Sequence, residues 1–347
     1  MSCTSKTVFF THTANSTFKK SFWYLDVRES WCSQYTFCKD TVPVMSRVQE
    51  KDDGGETLEF MDMGDIRTPA FGIKTDDELK KIFDGIPEFK HRDDDVMLCT
   101  FAKTGTNWMY EVLMMLLRRK AERVDLNKSM TMLELQGVED VDKVPSPRVI
   151  NCHLPPRFLP KDLAQKKIKT MLCLRNPKDT AVSFFNHMRG MKMYNYGNGQ
   201  WKNRLRPYVQ GKYEYGPYPA YLNEWQEVIE AGPRYPIHVM FFEDLKMNGM
   251  KEIERLISFL EIDISDSLQR DILDMCGFQK MAADKMLIQD QDGFFNENFR
   301  FFRKGEVGDW KNWFTVEQNE YFDSEWNKQI RADTIFQFKY THSQGNS

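Results

Sequence analysis

The sequence predicts an α/β fold: a mainly parallel central sheet with helices on both faces, carrying a P-loop-like strand–turn–helix nucleotide site. Three observations predict it. Short apolar runs recur at 96–101, 148–152, 169–174 and 237–242, as strands buried on both faces require. Segments with helical spacing of apolar residues alternate with them. Stretches rich in Lys, Arg, Thr and Gly directly follow strand ends, where open α/β sheets bind their ligands.

Along the chain, residues 1–60 are Ser/Thr-rich, show no sustained period and run into Glu50-Lys51-Asp52-Asp53-Gly54-Gly55. This composition predicts a disordered N-terminal extension, followed by a single domain over 70–340. Val96–Phe101 reads as the first strand and Ala102–Asn107 as a tight polar turn. A helix follows, with Trp108, Val112, Met115 and Leu116 on one side. Arg118, Arg119 and Lys120 close it, as cations favour a helix C-terminus. Arg148–Cys152 and Lys169–Leu174 read as the second and third strands. Asn176-Pro177 opens the next helix, with Asn as N-cap, Pro at the first position and Asp179 in the first turn. Residues 189–219 are rich in Gly, Tyr and Trp without a period, which predicts a long lid or binding loop. Leu222, Trp225, Val228 and Ile229 mark a helix stopped by Gly232-Pro233. Ile237–Phe242 is the fourth strand, and Met250, Ile253, Leu256, Ile257 and Leu260 mark the helix after it.

Bulk properties narrow the chemistry. With 48 Lys and Arg against 51 Asp and Glu, the net charge is −3, which argues against general nucleic-acid binding. Any anion site must come from a few locally placed cations. Seven cysteines make an odd count with no C-x-x-C pair, and Cys99, Cys152 and Cys173 fall in predicted strands. Reduced, buried thiols and a cytoplasmic address follow as expectations. The six histidines show no metal-ligand spacing, so no metal is expected. No apolar run of 18 residues and no secretory pattern at the N-terminus are present, so no membrane partner is expected.

Several segments carry chemistry. Lys103-Thr104-Gly105-Thr106-Asn107-Trp108 joins a strand to a helix N-terminus, where free N–H groups and the helix dipole favour an anion. Gly105 permits close backbone approach, Lys103 adds charge, and the threonines add hydroxyl donors. An ordinary well-capped turn is the other reading. The G-x-x-x-x-G-K-[ST] pattern of a standard P-loop is absent. Arg175 ends a strand before a second helix N-terminus, where a guanidinium can grip phosphate bidentately. Ser183 lies two turns along that helix, a place where a hydroxyl commonly bonds its own backbone. Phe301-Phe302-Arg303-Lys304-Gly305 is either a solvated basic loop or part of the same anion site. His153, directly after a strand, is either a structural hydrogen-bonder or a base at the ligand end of the sheet.

Taken together and in order, these segments resemble the cytosolic sulfotransferase family, from about residue 75 to about residue 335. The family's P-K-x-G-T-x-W turn is matched by Ala102–Trp108, its Arg-Asn-x-x-Asp-x-x-x-Ser segment by Arg175–Ser183, and its R-K-G by Arg303-Lys304-Gly305. The histidine of its H-L-P matches His153, and its aromatic-Glu-Asp element matches Phe242-Glu243-Asp244. The resemblance implies transfer of a sulfuryl group from 3′-phosphoadenosine 5′-phosphosulfate (PAPS) to a hydroxyl or amine of a small acceptor, without a metal. The product of the donor would be adenosine 3′,5′-bisphosphate. It implies that the Lys103 turn holds the 5′-phosphosulfate, and that Arg175, Ser183 and Arg303 to Gly305 hold the 3′-phosphate. Trp108 and Phe278 would stack on adenine, His153 would act as base, and Lys103 would stabilise the leaving oxygen. It also implies a homodimer through Lys311–Glu320.

Besides Ala102 in place of Pro, three departures from the family pattern matter. Phe242 stands where Tyr is usual, Cys276-Gly277-Phe278 replaces Thr-Ser-Phe, and Asn151 stands where a Lys commonly precedes the His by two residues. Each lost hydrogen bond costs about 0.5–1.5 kcal/mol. These departures keep a non-catalytic nucleotide-binding relative as one alternative, with an ATP-dependent kinase-like enzyme as another. The acceptor is not legible, although 126–148 and 189–219 are expected to line its pocket.

Overall fold

The structure, a computed structural model, describes residues 45–70, 74–123, 125–284, 293–297 and 299–341. Its first elements are three antiparallel strands: β1 (Ser46–Lys51), β2 (Thr57–Asp62) and β3 (Arg67–Pro69). This corrects the predicted extension over residues 46–60, which pair in register from Ser46↔Asp62 to Lys51↔Thr57. The polar run that read as a tail is the hairpin turn. Asp52 Oδ1 accepts from the Gly54 and Glu56 N–H groups, and its Oδ2 accepts from the Tyr196 hydroxyl at 2.6 Å. Leu58 and Phe60 alternate into the core. The rest of the predicted extension lies outside the described residues.

A four-stranded parallel sheet follows, from β4 (Val96–Thr100), β5 (Val149–Cys152), β6 (Lys169–Leu174) and β7 (Ile237–Phe241). The order is β5-β4-β6-β7, so the fold class is as the sequence predicts. Every residue of β4 and β5 is buried, and alternation divides them between two cores. Met97, Cys99, Ile150 and Cys152 face one, while Val96, Leu98 and Val149 face the other. From β4 the chain goes to β5 on one side and returns to β6 on the other. The strand order therefore switches between β4 and β6, the place where an open sheet leaves a crevice at its carboxyl end.

The helix after β4 spans Thr106–Arg118, and the one after β6 spans Pro177–Gly190. The second starts as its sequence requires: the Asn176 side chain accepts from the Asp179 N–H at 2.8 Å and Pro177 takes the first position. The predicted loop 189–219 is not one loop. It holds a short turn at Lys192–Tyr194, a helix at Trp201–Val209 and the start of the helix Tyr218–Glu230. Trp201, Leu205, Tyr208 and Val209 do follow helical spacing, but Pro207 and the flanking glycines conceal it.

Candidate active site

A cavity of about 1790 Å³ opens at the carboxyl end of the sheet. Its wall includes Lys103, Gly105, Thr106, Asn107, Trp108, His153, Arg175 and Ser183. It also includes Phe242, Cys276, Phe278, Phe301, Phe302, Arg303, Lys304 and Gly305. The sequence-predicted residues thus converge, with one exception. Thr104 turns away from the cavity: its buried hydroxyl donates to the Phe101 and Cys173 carbonyls, tying the turn to β6.

The turn after β4 is wound tightly. Lys103 and Gly105 both have left-handed backbones, with φ of 74° and 115°. A Cβ at Gly105 would lie 3.1 Å from the Phe242 ring. Gly105 caps the helix without a side chain, so the first-turn amides face outward uncapped. Burial, with Lys128 and Arg175 nearby, brings the Lys103 ammonium down to about 7. Its Nζ lies 4.5 Å from the Phe301 ring centre.

Arg175 projects from the end of β6 and is 8% exposed. Its Nη2 donates to the Glu306 carbonyl at 3.0 Å and its guanidinium lies 4.3 Å from the Phe242 ring centre. Its buried Nε has no hydrogen-bond partner among the described residues, and neither has Trp108 Nε1. Phe242 meets Trp108 edge to face at 5.0 Å, so its ring is in use although it lacks a hydroxyl. Glu243 beside it accepts from the Asn176 N–H at 2.8 Å, holding the start of the Pro177 helix, and burial pushes it up to about 7. The Cys276 thiol packs near Met115 in the second core, and burial pushes it up to about 12.

Asp179 docks the basic loop on this frame. Its two oxygens accept from the Gly308 and Trp310 N–H groups, each at 2.8 Å, and from Asn176 Nδ2. Gly305 lies flat against Phe278, where a Cβ would run into the ring. Arg303 and Lys304 both pair with the carboxylate of Asp309. Burial opposes its charge, but Lys304, Asn312 and Arg303 hold Asp309 at about 2. Asp179→Asn is expected to destabilise the fold by about 1–3 kcal/mol, because an amide NH2 would face N–H donors. Thermal unfolding reads this; an unchanged melting temperature would remove Asp179 as the dock.

His153 is 5% exposed. Its Nδ1 lies 3.0 Å from the Thr100 carbonyl and 2.8 Å from the Thr100 hydroxyl. A carbonyl only accepts, so Nδ1 carries the proton and Nε2 presents a lone pair. Burial, and then the Lys128 charge, holds the ring well below the usual imidazole range, hence neutral. Its backbone N–H donates to Glu134 Oε1 at 2.7 Å.

Sequence reasoning singled out neither Lys128 nor Glu214, which also line the cavity. Lys128 follows the capping residue Asn127 in a short turn. Glu214 is 1% exposed, accepts from the Tyr194 hydroxyl at 2.6 Å and is pushed up to about 7 by burial. The two stretches expected to line the pocket do so only in part, through 126–129, 132, 135 and 136, and through 191–194, 214 and 215. Isolated charges in segments without a period gave no signal for their roles.

A family model described as the sulfotransferase domain matches residues 93–333. Mouse sulfotransferase 1A1 is 31% identical over 273 residues, covering 75% of this chain and 92% of that protein. Human sulfotransferase 1E1 is 32% identical over 278 residues, covering 76% and 93%. Among solved structures, mouse sulfotransferase SULT7A1 complexed with PAP has a TM-score of 0.62 at 26% identity, covering 82% of this chain and 95% of that one. Retinol dehydratase, solved with retinol and PAP, shares the fold at a TM-score of 0.65 and 17% identity, covering 86% and 93%.

Proposed function

The chain belongs to the sulfotransferase family, enzymes that move a sulfuryl group from PAPS, and from that premise we propose its acceptor class and the role of each site residue. The acceptor is a small, aromatic or apolar molecule bearing a hydroxyl or amine. The observation that supports the reading is the convergence of Lys103, Arg175, Arg303 and Lys304 with His153 on one cavity, in a chain of net charge −3. The cavity fits the donor. Arg175 Nε and Trp108 Nε1 await partners, and Gly105 and Gly305 leave room where side chains would intrude.

In this reading Lys103, the helix amides at 106–108 and the Thr106 hydroxyl hold the phosphosulfate end. Arg175, Ser183, Arg303 and Lys304 hold the 3′-phosphate. Trp108, Phe242 and Phe278 enclose the adenine, with Cys276, Phe301 and Phe302 completing the wall. His153 Nε2 takes the acceptor proton as the acceptor oxygen attacks sulfur. Lys103 stabilises charge on the bridging oxygen as the bond from sulfur breaks.

Residues 70–340 form a single catalytic domain in this reading. Val316, 77% exposed on the Lys311–Glu320 segment, supports that segment as the homodimer contact. Among the described residues no helix is long and apolar enough to cross a membrane, and Cys99, Cys152, Cys173 and Cys276 are free thiols. The thiols suit a reducing, cytoplasmic setting.

Transfer of labelled sulfur from the donor to a panel of phenols, steroids and amines tests the function. Binding of the bisphosphate with no transfer to any acceptor would sink it. Protonation gives a second check. Lys103 starts near 7 and must rise when a phosphate dianion arrives. Affinity from this group is therefore full below about pH 7 and is lost as pH rises through the bound-state value. Calorimetry at pH 8 in two buffers of different ionisation enthalpy is expected to show proton uptake on binding the bisphosphate, and Lys103→Met is expected to abolish it. Equal heats in both buffers would count against Lys103 as the phosphosulfate cation.

A further inference from the structure

We infer that Lys128 is a further catalytic residue: its ammonium stands where the acceptor oxygen must meet the sulfuryl group. The inference rests on the sulfotransferase reading and deepens it.

Lys128 Nζ lies 3.1 Å from His153 Nε2 and 3.6 Å from Met132 Sδ. Neither partner is an anion, so a cation is held against the lone pair of the base. The placement is built. Lys128 opens the turn Lys128–Thr131, whose Asn127 cap accepts from the Ser129 N–H at 2.9 Å. Asn151 Nδ2 donates to the Lys128 carbonyl at 2.6 Å and to the Thr131 hydroxyl at 3.2 Å. The Thr131 hydroxyl donates to the Val149 carbonyl at 2.6 Å. The turn is thus fastened to β5, the strand that ends just before His153. Asn151, a departure from the family pattern, is the residue that positions the turn.

An acceptor hydroxyl that gives its proton to Nε2 must come within about 3 Å of that nitrogen. It then displaces Lys128 from Nε2 and lies against the ammonium. In the transfer, the bond from acceptor oxygen to sulfur forms and the bond from sulfur to the 5′-phosphate oxygen breaks. The proton goes to His153 and the electron pair leaves with the bisphosphate. Lys128 gains and loses no proton; it attracts the sulfuryl oxygens from the side opposite the leaving group. It also disfavours protonation of the base.

His153 faces Lys128 and Glu134 from the segment beside β5, Lys103 from the turn after β4, His187 from the Pro177 helix, and Tyr215. Removing the Lys128 charge is therefore expected to raise the imidazole value. The test compares the parent with Lys128→Met on one acceptor. Expected are a fall in kcat of at least about tenfold, bisphosphate affinity and melting temperature near the parent's, and an acidic limb of the pH profile moved to higher pH. A kcat within twofold of the parent's with an unmoved limb overturns the inference. If Lys128→Met no longer binds bisphosphate, the comparison passes to Lys128→Arg and Lys128→Gln, and equal activity of those two overturns it. A parent that binds bisphosphate but sulfates nothing overturns the functional reading itself, a distinguishable result.

Discussion

Replacing His153 with alanine is expected to lower kcat about a thousandfold, within the range for loss of a general base, while the bisphosphate dissociation constant stays within about twofold. The geometry separates the two effects. The Thr100 carbonyl fixes the proton on Nδ1, so only Nε2 is left with a lone pair to take a proton. The backbone N–H keeps its bond to Glu134 in the variant, and the Thr100 hydroxyl keeps Thr106 at 2.8 Å. The groups proposed to hold phosphate lie on other segments. The pH profile supplies an independent readout. A base held well below its ordinary value works above that value, so the parent's acidic limb is expected below pH 6.5 and the variant is expected to lack it. Steady-state kinetics with calorimetric binding decide the matter. Equal losses of turnover and binding would make His153 a structural residue.

Replacing Arg175 with alanine is expected to weaken bisphosphate binding by about a hundred- to a thousandfold, the scale of truncating one side of a buried charge pair. The side chain is buried, braced by the Glu306 carbonyl and the Phe242 ring, and has Nε unpartnered. A planar fork held this way recognises phosphate through two parallel bonds, so Arg175→Lys is expected to recover little. Adenosine 5′-phosphate, which has no 3′-phosphate, serves as the control, and its affinity is expected to move by less than a factor of about three. If both nucleotides weaken equally, or neither does, Arg175 does not hold the 3′-phosphate.

The inner part of the sheet was legible because β4, β5 and β6 are buried on both faces. Val96–Cys99 and Met171–Leu174 are continuous apolar runs with few other readings. The Pro177 helix was legible because its cap chemistry is local. The hairpin at Ser46–Asp62 was not, because β1 is polar and largely exposed and its partner is fixed by pairing across a turn that resembles a linker. The cationic turn and Arg175 stand out as residue types that follow strands, and the basic loop as a charge pair after two aromatics; all three line one cavity. The inward or outward sense of each side chain was not legible. Thr104 looked like a phosphate donor, yet its hydroxyl closes the turn from behind. Lys128 needed the third dimension, since 25 residues separate it from the histidine it touches.

If Arg303 and Lys304 hold the 3′-phosphate as proposed, Asp309 is a resident rival for those cations. Arg303 and Lys304 share that carboxylate. An arriving phosphate must therefore displace a local anion instead of meeting bare charge. The exchange caps affinity while keeping the preference for a group that can satisfy both side chains at once. When the spent nucleotide departs, the carboxylate recloses on them, so release leaves no pair of cations stranded in a half-dry wall.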